Sequence, residues 1–336
     1  MLYLWLKFII IAGLIIISGT YLSKFGDIIA EKTGLGQALI GGILLALATS
    51  LPELVTSITS SLVAVPDIAI GNVFGSNTFN LMILAIADLL HGQGPLMLKV
   101  KYSHILSGLL GILLSGIVAF SIMIYHFTSF NFTISSIGLE SIIIVFTYLF
   151  GVKLIFRYDK KNPLDKDEME KELYGHIKLK KALIGFSLSA VVIIFSGIQL
   201  TLTGDEISTV TGIDKTFIGS ILIAAATSLP ELVATIAAIR INAYNMAIGN
   251  VFGSNIFNMI IVFFADLFYT KAPVLSAVSV LHIITALIGL IMSTIALIGL
   301  FYRSKRTVFS IGWDTLFISI VYFLSVYLLF HLGINI

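Results

Sequence analysis

"ATSLPE" occupies Ala48–Glu53 and returns letter for letter at Ala226–Glu231, both times inside a long apolar run. Such a hexapeptide is expensive in apolar surroundings. Proline has no N–H and its ring crowds the carbonyl four residues back, so it kinks or opens a helix. An ionised carboxylate at mid-bilayer costs about 2.5–3.5 kcal/mol on insertion scales. A chain that carries both features, twice, has a use for them.

The duplication extends well beyond the hexapeptide. An offset of 178 residues aligns Gly26–Leu89 with Gly204–Leu267 without a gap, and roughly half of the positions are identical. "GNVFGSN.FN" and "ADL" recur with it, while the surrounding apolar residues have drifted. The chain therefore reads as two copies of one unit, 1–156 and 182–336. Between them Arg157–Lys181 mixes acids and bases around one proline, the composition of a solvated linker.

Composition sets the surroundings. Of the 336 residues 58% are hydrophobic and only 11% charged, and the mean hydropathy is +1.05, which excludes an ordinary soluble domain. Apolar runs long enough to cross a bilayer fall near 3–23, 36–62, 68–91, 103–125, 132–155, 181–202, 214–239, 244–269, 275–300 and 311–333. The expected fold class is an all-α polytopic membrane protein of ten transmembrane helices. The first run is expected to be a mature helix rather than a signal peptide, because it has a counterpart near 181–202. There is no cysteine, so disulfides and thiolate metal sites are excluded. The pI of about 8.6 comes mainly from loop lysines and marks topology rather than nucleic-acid binding.

Five helices per copy is an odd number, so the second copy enters the membrane upside down. A cytoplasmic linker collects its eight basic residues together with Lys24, Lys32, Lys99, Lys101, Arg240, Arg303, Lys305 and Arg306 on the inside, and leaves only Lys215 and Lys271 outside. That arrangement obeys the positive-inside rule and puts both termini outside the cell membrane. Two inverted five-helix repeats with broken helices and a site at the midplane are the architecture of secondary transporters.

Helical spacing places Thr49, Ser50 and Glu53 on one face, and Asn72, Ser76 and Asn80 form a stripe one turn apart on the next helix. Gly71 and Gly75 let a neighbour approach that stripe. The second copy repeats the pattern with Thr227, Ser228, Glu231, Asn250, Ser254 and Asn258. Pro52 and Pro230 are expected to leave carbonyls around Ala46–Ala48 and Ala224–Ala226 without helical partners. A pseudo-two-fold axis would bring Glu53 and Glu231 together, and neither motif contains a lysine or arginine to neutralise them. Carboxylate, hydroxyl, amide and carbonyl oxygens without sulfur or imidazole suit hard cations such as Ca²⁺ or Na⁺. Asp88 and Asp266 also match across the copies, but near helix ends, where snorkelling or capping is expected. Glu140 has no aligned mate, and the six histidines fit no ligand spacing.

At these motifs the chain resembles the calcium/cation antiporter superfamily, and within it the prokaryotic sodium/calcium exchanger branch. The resemblance covers both halves. It implies exchange by alternating access, with a two-helix gate sliding past a core. It also implies a ligand set of side chains from Thr49, Ser50, Glu53, Ser76, Asn80, Thr227, Ser228, Glu231, Ser254 and Asn258, with the backbone carbonyls of Ala46 and Ala224. Family members commonly have glycine where Ala48 and Ala226 stand, so the kinks here are stiffer. The potassium-dependent branch carries Asp where Asn258 stands; asparagine in both copies argues against potassium coupling. Proton-coupled relatives carry a further acid shortly after the "GN", and Val73–Asn77 has none, which favours sodium. The expected function is Na⁺/Ca²⁺ antiport by a monomer in the lipid bilayer, with Ca²⁺ and Na⁺ as cargo, no cofactor and no enzymatic activity. H⁺-coupled exchange of Ca²⁺ or another divalent cation is the alternative. An intramembrane protease built on Asp88 and Asp266 lacks the signatures of such enzymes, and a passive channel differs from an exchanger by the absence of countertransport.

Overall fold

The computed structural model describes residues 1–33, 46, 48–92, 94–128, 133–134, 136–161, 177–305, 307–308 and 311–334. Long apolar stretches interrupted only at proline, glycine and charged turns fold as helices: α1 (Leu2–Thr33), α2 (Leu51–Leu62), α3 (Pro66–His91), α4 (Ser103–Phe127), α5 (Leu139–Lys161) and α6 (Leu179–Thr211), then α7 (Lys215–Thr227), α8 (Leu229–Arg240), α9 (Tyr244–Phe268), α10 (Leu281–Tyr302) and α11 (Trp313–Ile334). Two hairpins complete the described chain, β1 (Thr133–Ile134) with β2 (Ile137–Gly138) and β3 (Thr307–Val308) with β4 (Ile311–Gly312).

Among the described residues eight helices are long and apolar enough to cross a membrane, and α7 with α8, bent by 41° at their junction, make a ninth span. The protein is thus a nearly all-helical integral membrane protein. The expected span at 36–62 lies partly outside the described residues; α2 is its described end.

Both breaks have one cause. Ser50 and Ser228 cap α2 and α8 with nearly the same backbone angles (φ −87°, ψ 11° and φ −89°, ψ 6°), and Pro52 and Pro230 sit in the first turns, where a missing N–H costs nothing. Just before the second break the backbone of α7 widens into a π turn over Ile218–Ile223, a feature frequent at functional sites.

The helices sort by burial. Helices α3 and α9 are wrapped by protein on nearly every side, whereas α1, α5, α6 and α11 leave broad faces bare, including Ile9, Ile17, Phe146, Phe150, Val191, Phe195, Phe323 and Tyr327. Those faces meet lipid. Helix α1 packs along α6, and both lie against the broken helices: Gly19 meets Pro230, and Gly197 meets Val55. On the other side of the breaks, Gly71 and Gly75 of α3 admit the π turn: a Cβ on Gly75 would stand 2.1 Å from the Ser220 carbonyl oxygen. That close approach is the one expected of these glycines.

Asp88 and Asp266 cap rather than snorkel, and both are fully buried. Asp88 accepts from the Leu96 N–H at 2.6 Å, the Gly312 N–H at 2.7 Å and the Thr315 hydroxyl at 2.5 Å. Asp266 accepts from Val274 N–H at 2.7 Å, Gly138 N–H at 2.9 Å and the Ser141 hydroxyl at 2.5 Å. Each aspartate ties a short 3₁₀ turn of its own half to the hairpin of the other half. The same hairpins correct the reading of Glu140 as a residue without a mate. Glu140 follows β2 as Asp314 follows β4, in "IGLES" and "IGWDT". The offset there is 174 rather than 178, so a gapless alignment passes over it.

Candidate functional site

Breaking a helix at proline turns the side chains of its last turn and its restart toward one point, and the structure places two such points face to face. Ser228 donates to Glu53 Oε1 at 2.8 Å, and Ser50 donates to Glu231 Oε1 at 3.1 Å. Each carboxylate thus takes a proton donor from the other copy of the hexapeptide. Ser76 of α3 adds a long contact to Glu53 Oε1 at 3.5 Å, and Thr49 lies 3.5 Å from Ser254 of α9. Every residue expected in the ligand set is buried: Thr49, Ser50, Glu53, Ser76, Asn80, Thr227, Ser228, Glu231, Ser254, Asn258 and the alanines Ala46 and Ala224.

Among the described residues the second oxygen of each carboxylate has no donor. Glu53 Oε2, Glu231 Oε2, Asn80 Oδ1 and Asn258 Oδ1 are buried acceptors without a hydrogen-bond partner there. Leaving a buried acceptor unpaired costs about 1–3 kcal/mol, more when it is charged. Four of them in symmetry-related positions make a site short of positive charge. Among the described residues the ion pairs are Lys32–Glu31, Lys215–Asp205 and His282–Asp67, so no basic side chain there answers Glu53 or Glu231. No three of His, Cys, Asp and Glu cluster among the described residues; two carboxylates are joined instead by hydroxyl and amide oxygens, a donor set for hard cations.

The carbonyls require a correction. Ala46 O accepts from the Ser50 N–H at 2.9 Å and the Thr49 hydroxyl at 3.3 Å, and Ala224 O accepts from the Ser228 N–H at 3.0 Å and the Thr227 hydroxyl at 3.2 Å. These two carbonyls keep their helical partners. The reason is register: Pro52 and Pro230 fail to donate to residues 48 and 226, whereas the donors for 46 and 224 are intact serines. Both lone pairs of each carbonyl thus face a donor, so Ala46 and Ala224 would reach a cation only where the threonine hydroxyl turns away.

Asn72 and Asn250 brace the breaks from behind. Asn72 Nδ2 donates to the Glu53 carbonyl and to Ser57, both at 3.2 Å, and its Oδ1 accepts from Thr227 at 3.0 Å. Asn250 Nδ2 reaches the Glu231 carbonyl at 3.5 Å and Thr235 at 3.3 Å. Sequence reasoning missed Ser57 and Thr235, which are not identical across the copies, and missed Asn77 and Asn255, which are. The signal for the latter pair was their identity inside "GSN"; they stand one residue off the stripe.

The family described as sodium/calcium exchanger protein matches residues 3–157 and 181–333. The chain belongs to the sodium/calcium exchanger family. It is therefore a membrane transporter and not an enzyme. The sodium/calcium exchanger MaX1 of Methanosarcina acetivorans is 28% identical over 329 residues, covering 82% of this chain and 89% of that one. The solved structure of the sodium-calcium exchanger NCX_Mj matches with a TM-score of 0.63 at 20% identity, over 97% of this chain and 99% of that chain. The H⁺/Ca²⁺ exchanger CAX matches with a TM-score of 0.72 at 13% identity, over 99% and 86%. At these identities the two structures speak to the fold alone.

Proposed function

We propose that this chain is a secondary antiporter that moves Ca²⁺ against Na⁺ through one central oxygen-lined site. The observation that carries the reading is the set of four unpaired acceptor oxygens on Glu53, Glu231, Asn80 and Asn258, beside two reciprocal serine–glutamate contacts. Two formal charges balance one Ca²⁺ or two Na⁺, so the two cargoes compete for the same oxygens. Ser76, Ser254, Thr49, Thr227 and the carbonyls of Ala46 and Ala224 complete the cage. In this reading the fold is ten helices in two inverted repeats, 1–156 and 182–336, joined by a cytoplasmic linker at 157–181. The break between the two matched segments at 158–180 supports that division. Alternating access then has α1 and α6 slide across the broken helices, and the exchanger works as a monomer with both termini outside.

Glu53→Gln and Glu231→Gln are each expected to abolish Na⁺-gradient-driven uptake of radiolabelled Ca²⁺ into proteoliposomes. Full uptake by either variant would sink the proposal. Proton coupling is tested in the same vesicles by replacing Na⁺ with an impermeant cation under a pH gradient. Ca²⁺ uptake is expected to stop; undiminished uptake would replace Na⁺ by H⁺ as the coupled ion.

A further inference from the structure

Asn77 and Asn255 lie outside the expected ligand set, yet both are buried between α3 and α9 beside it. Their hydrogen bonds form a chain with only one consistent direction. Asn255 Nδ2 lies 3.3 Å from the Asn77 carbonyl and Asn77 Nδ2 lies 3.4 Å from the Asn255 carbonyl. A backbone carbonyl only accepts, so the NH₂ ends of both side chains must face these carbonyls. Their Oδ1 atoms are then committed to the opposite direction. There Asn255 Oδ1 meets Asn80 Nδ2, and Asn77 Oδ1 meets Asn258 Nδ2, each at 3.0 Å. Asn80 and Asn258 must therefore present NH₂ to this chain and Oδ1 away from it, and both of those oxygens are buried without a donor among the described residues.

We propose that Asn77 and Asn255 are positioning residues that fix which end of the Asn258 and Asn80 carboxamides faces the transported cation, an inference that rests on the antiporter reading above. The orientation decides affinity because an amide is a dipole. Oδ1 attracts a cation, whereas a flipped amide offers two N–H groups with partial positive charge. Without the fixed acceptors at Asn77 and Asn255, the amides of Asn258 and Asn80 are free to turn over. The anchors of the chain are main-chain atoms of α3 and α9, so the setting is as rigid as the contact between those helices.

A carboxylate in place of the ligand amide separates orientation from packing, because its two oxygens are equivalent and it has no wrong end. Ca²⁺ affinity is read from Ca²⁺-dependent thermal stabilisation of the purified protein, which needs no flux. Asn77→Ala is expected to weaken Ca²⁺ binding tenfold or more. In an Asn258→Asp background the same Asn77→Ala change is expected to weaken it less than twofold. The mirror pair, Asn255→Ala with and without Asn80→Asp, repeats the test independently. An equal loss in both backgrounds, an unchanged affinity in Asn77→Ala, or alanine variants that fail to fold in either background would assign the pair to the helix contact and overturn the proposal. The antiporter reading fails separately, by absence of Na⁺-driven Ca²⁺ flux in the unmodified protein.

Discussion

Glu53 and Glu231 each give one oxygen to a serine of the other hexapeptide and keep the second without a donor among the described residues. The serines hold each carboxylate in place without neutralising it, since a hydroxyl brings no charge. Removing one such charge-assisted hydrogen bond costs about 1.5–3 kcal/mol. Ser228→Ala and Ser50→Ala are accordingly expected to raise the Ca²⁺ concentration for half-maximal exchange by roughly ten- to a hundredfold, measured in proteoliposomes; unaltered half-saturation in both would show that the serines are bystanders. Asp88 is the contrasting residue. It accepts from three donors, one each in a 3₁₀ turn, the β3–β4 hairpin and the start of α11, so Asp88→Ala is expected to lower the thermal stability of the detergent-purified protein while leaving Ca²⁺ half-saturation as it was. A selective change in half-saturation without a loss of stability would move Asp88 into the ion path.

At the level of elements, the broken helices are held by glycines on two sides. Gly75 brings α3 against the π turn, with its imagined Cβ 2.1 Å from the Ser220 carbonyl oxygen. Backbone cannot move aside as a side chain can, so Gly75→Ala is expected to destabilise the fold by about 1–3 kcal/mol, read as a lowered unfolding temperature; a temperature equal to that of the parent protein would refute the fit. Gly19 faces a different neighbour: a Cβ added there would stand 2.3 Å from the Pro230 ring, on the surface where α1 is proposed to slide. Gly19→Val is expected to slow the maximal exchange rate more than tenfold, because a branched side chain has to pass the proline ring at each cycle. An unchanged rate would place the moving surface elsewhere.

On the scale of the whole molecule, the proposed topology rests on the distribution of lysine and arginine. The proposed orientation puts the amino terminus outside and the end of α5 inside, and a chain without cysteine allows single thiols to report on it. Tyr3→Cys is expected to react with a membrane-impermeant thiol reagent on intact cells, and Lys161→Cys only after permeabilisation. The opposite pattern would invert the topology and with it the assignment of faces. The two halves are also unequal where they cross. Asp67 pairs with His282 at 3.1 Å, whereas Asn245, which stands 178 residues after Asp67, accepts from Lys101 N–H at 2.9 Å and hydrogen-bonds His104. The histidines thus tie the start of one polar helix to the helix pair of the other half, a structural use that fits their expected lack of ligand spacing.

Features written in repeated letters and in hydropathy were legible in the chain alone. The membrane environment follows from ten apolar runs. Helix breaks after Ser50 and Ser228 follow from proline, and the closeness of Gly71 and Gly75 to a neighbour follows from their size. The pairing of Glu53 with the opposite hexapeptide was legible because a duplicated motif that buries charge must meet its copy. The structure alone showed that the carbonyls of Ala46 and Ala224 keep their serine N–H partners and take a threonine hydroxyl besides, because a hydroxyl's direction is set by its rotamer. It alone matched Glu140 with Asp314, whose shared place follows a hairpin and a shifted offset. It alone disclosed the amide chain through Asn77 and Asn255, because the direction of an amide is set by acceptors on another helix, and no spacing along one chain encodes them.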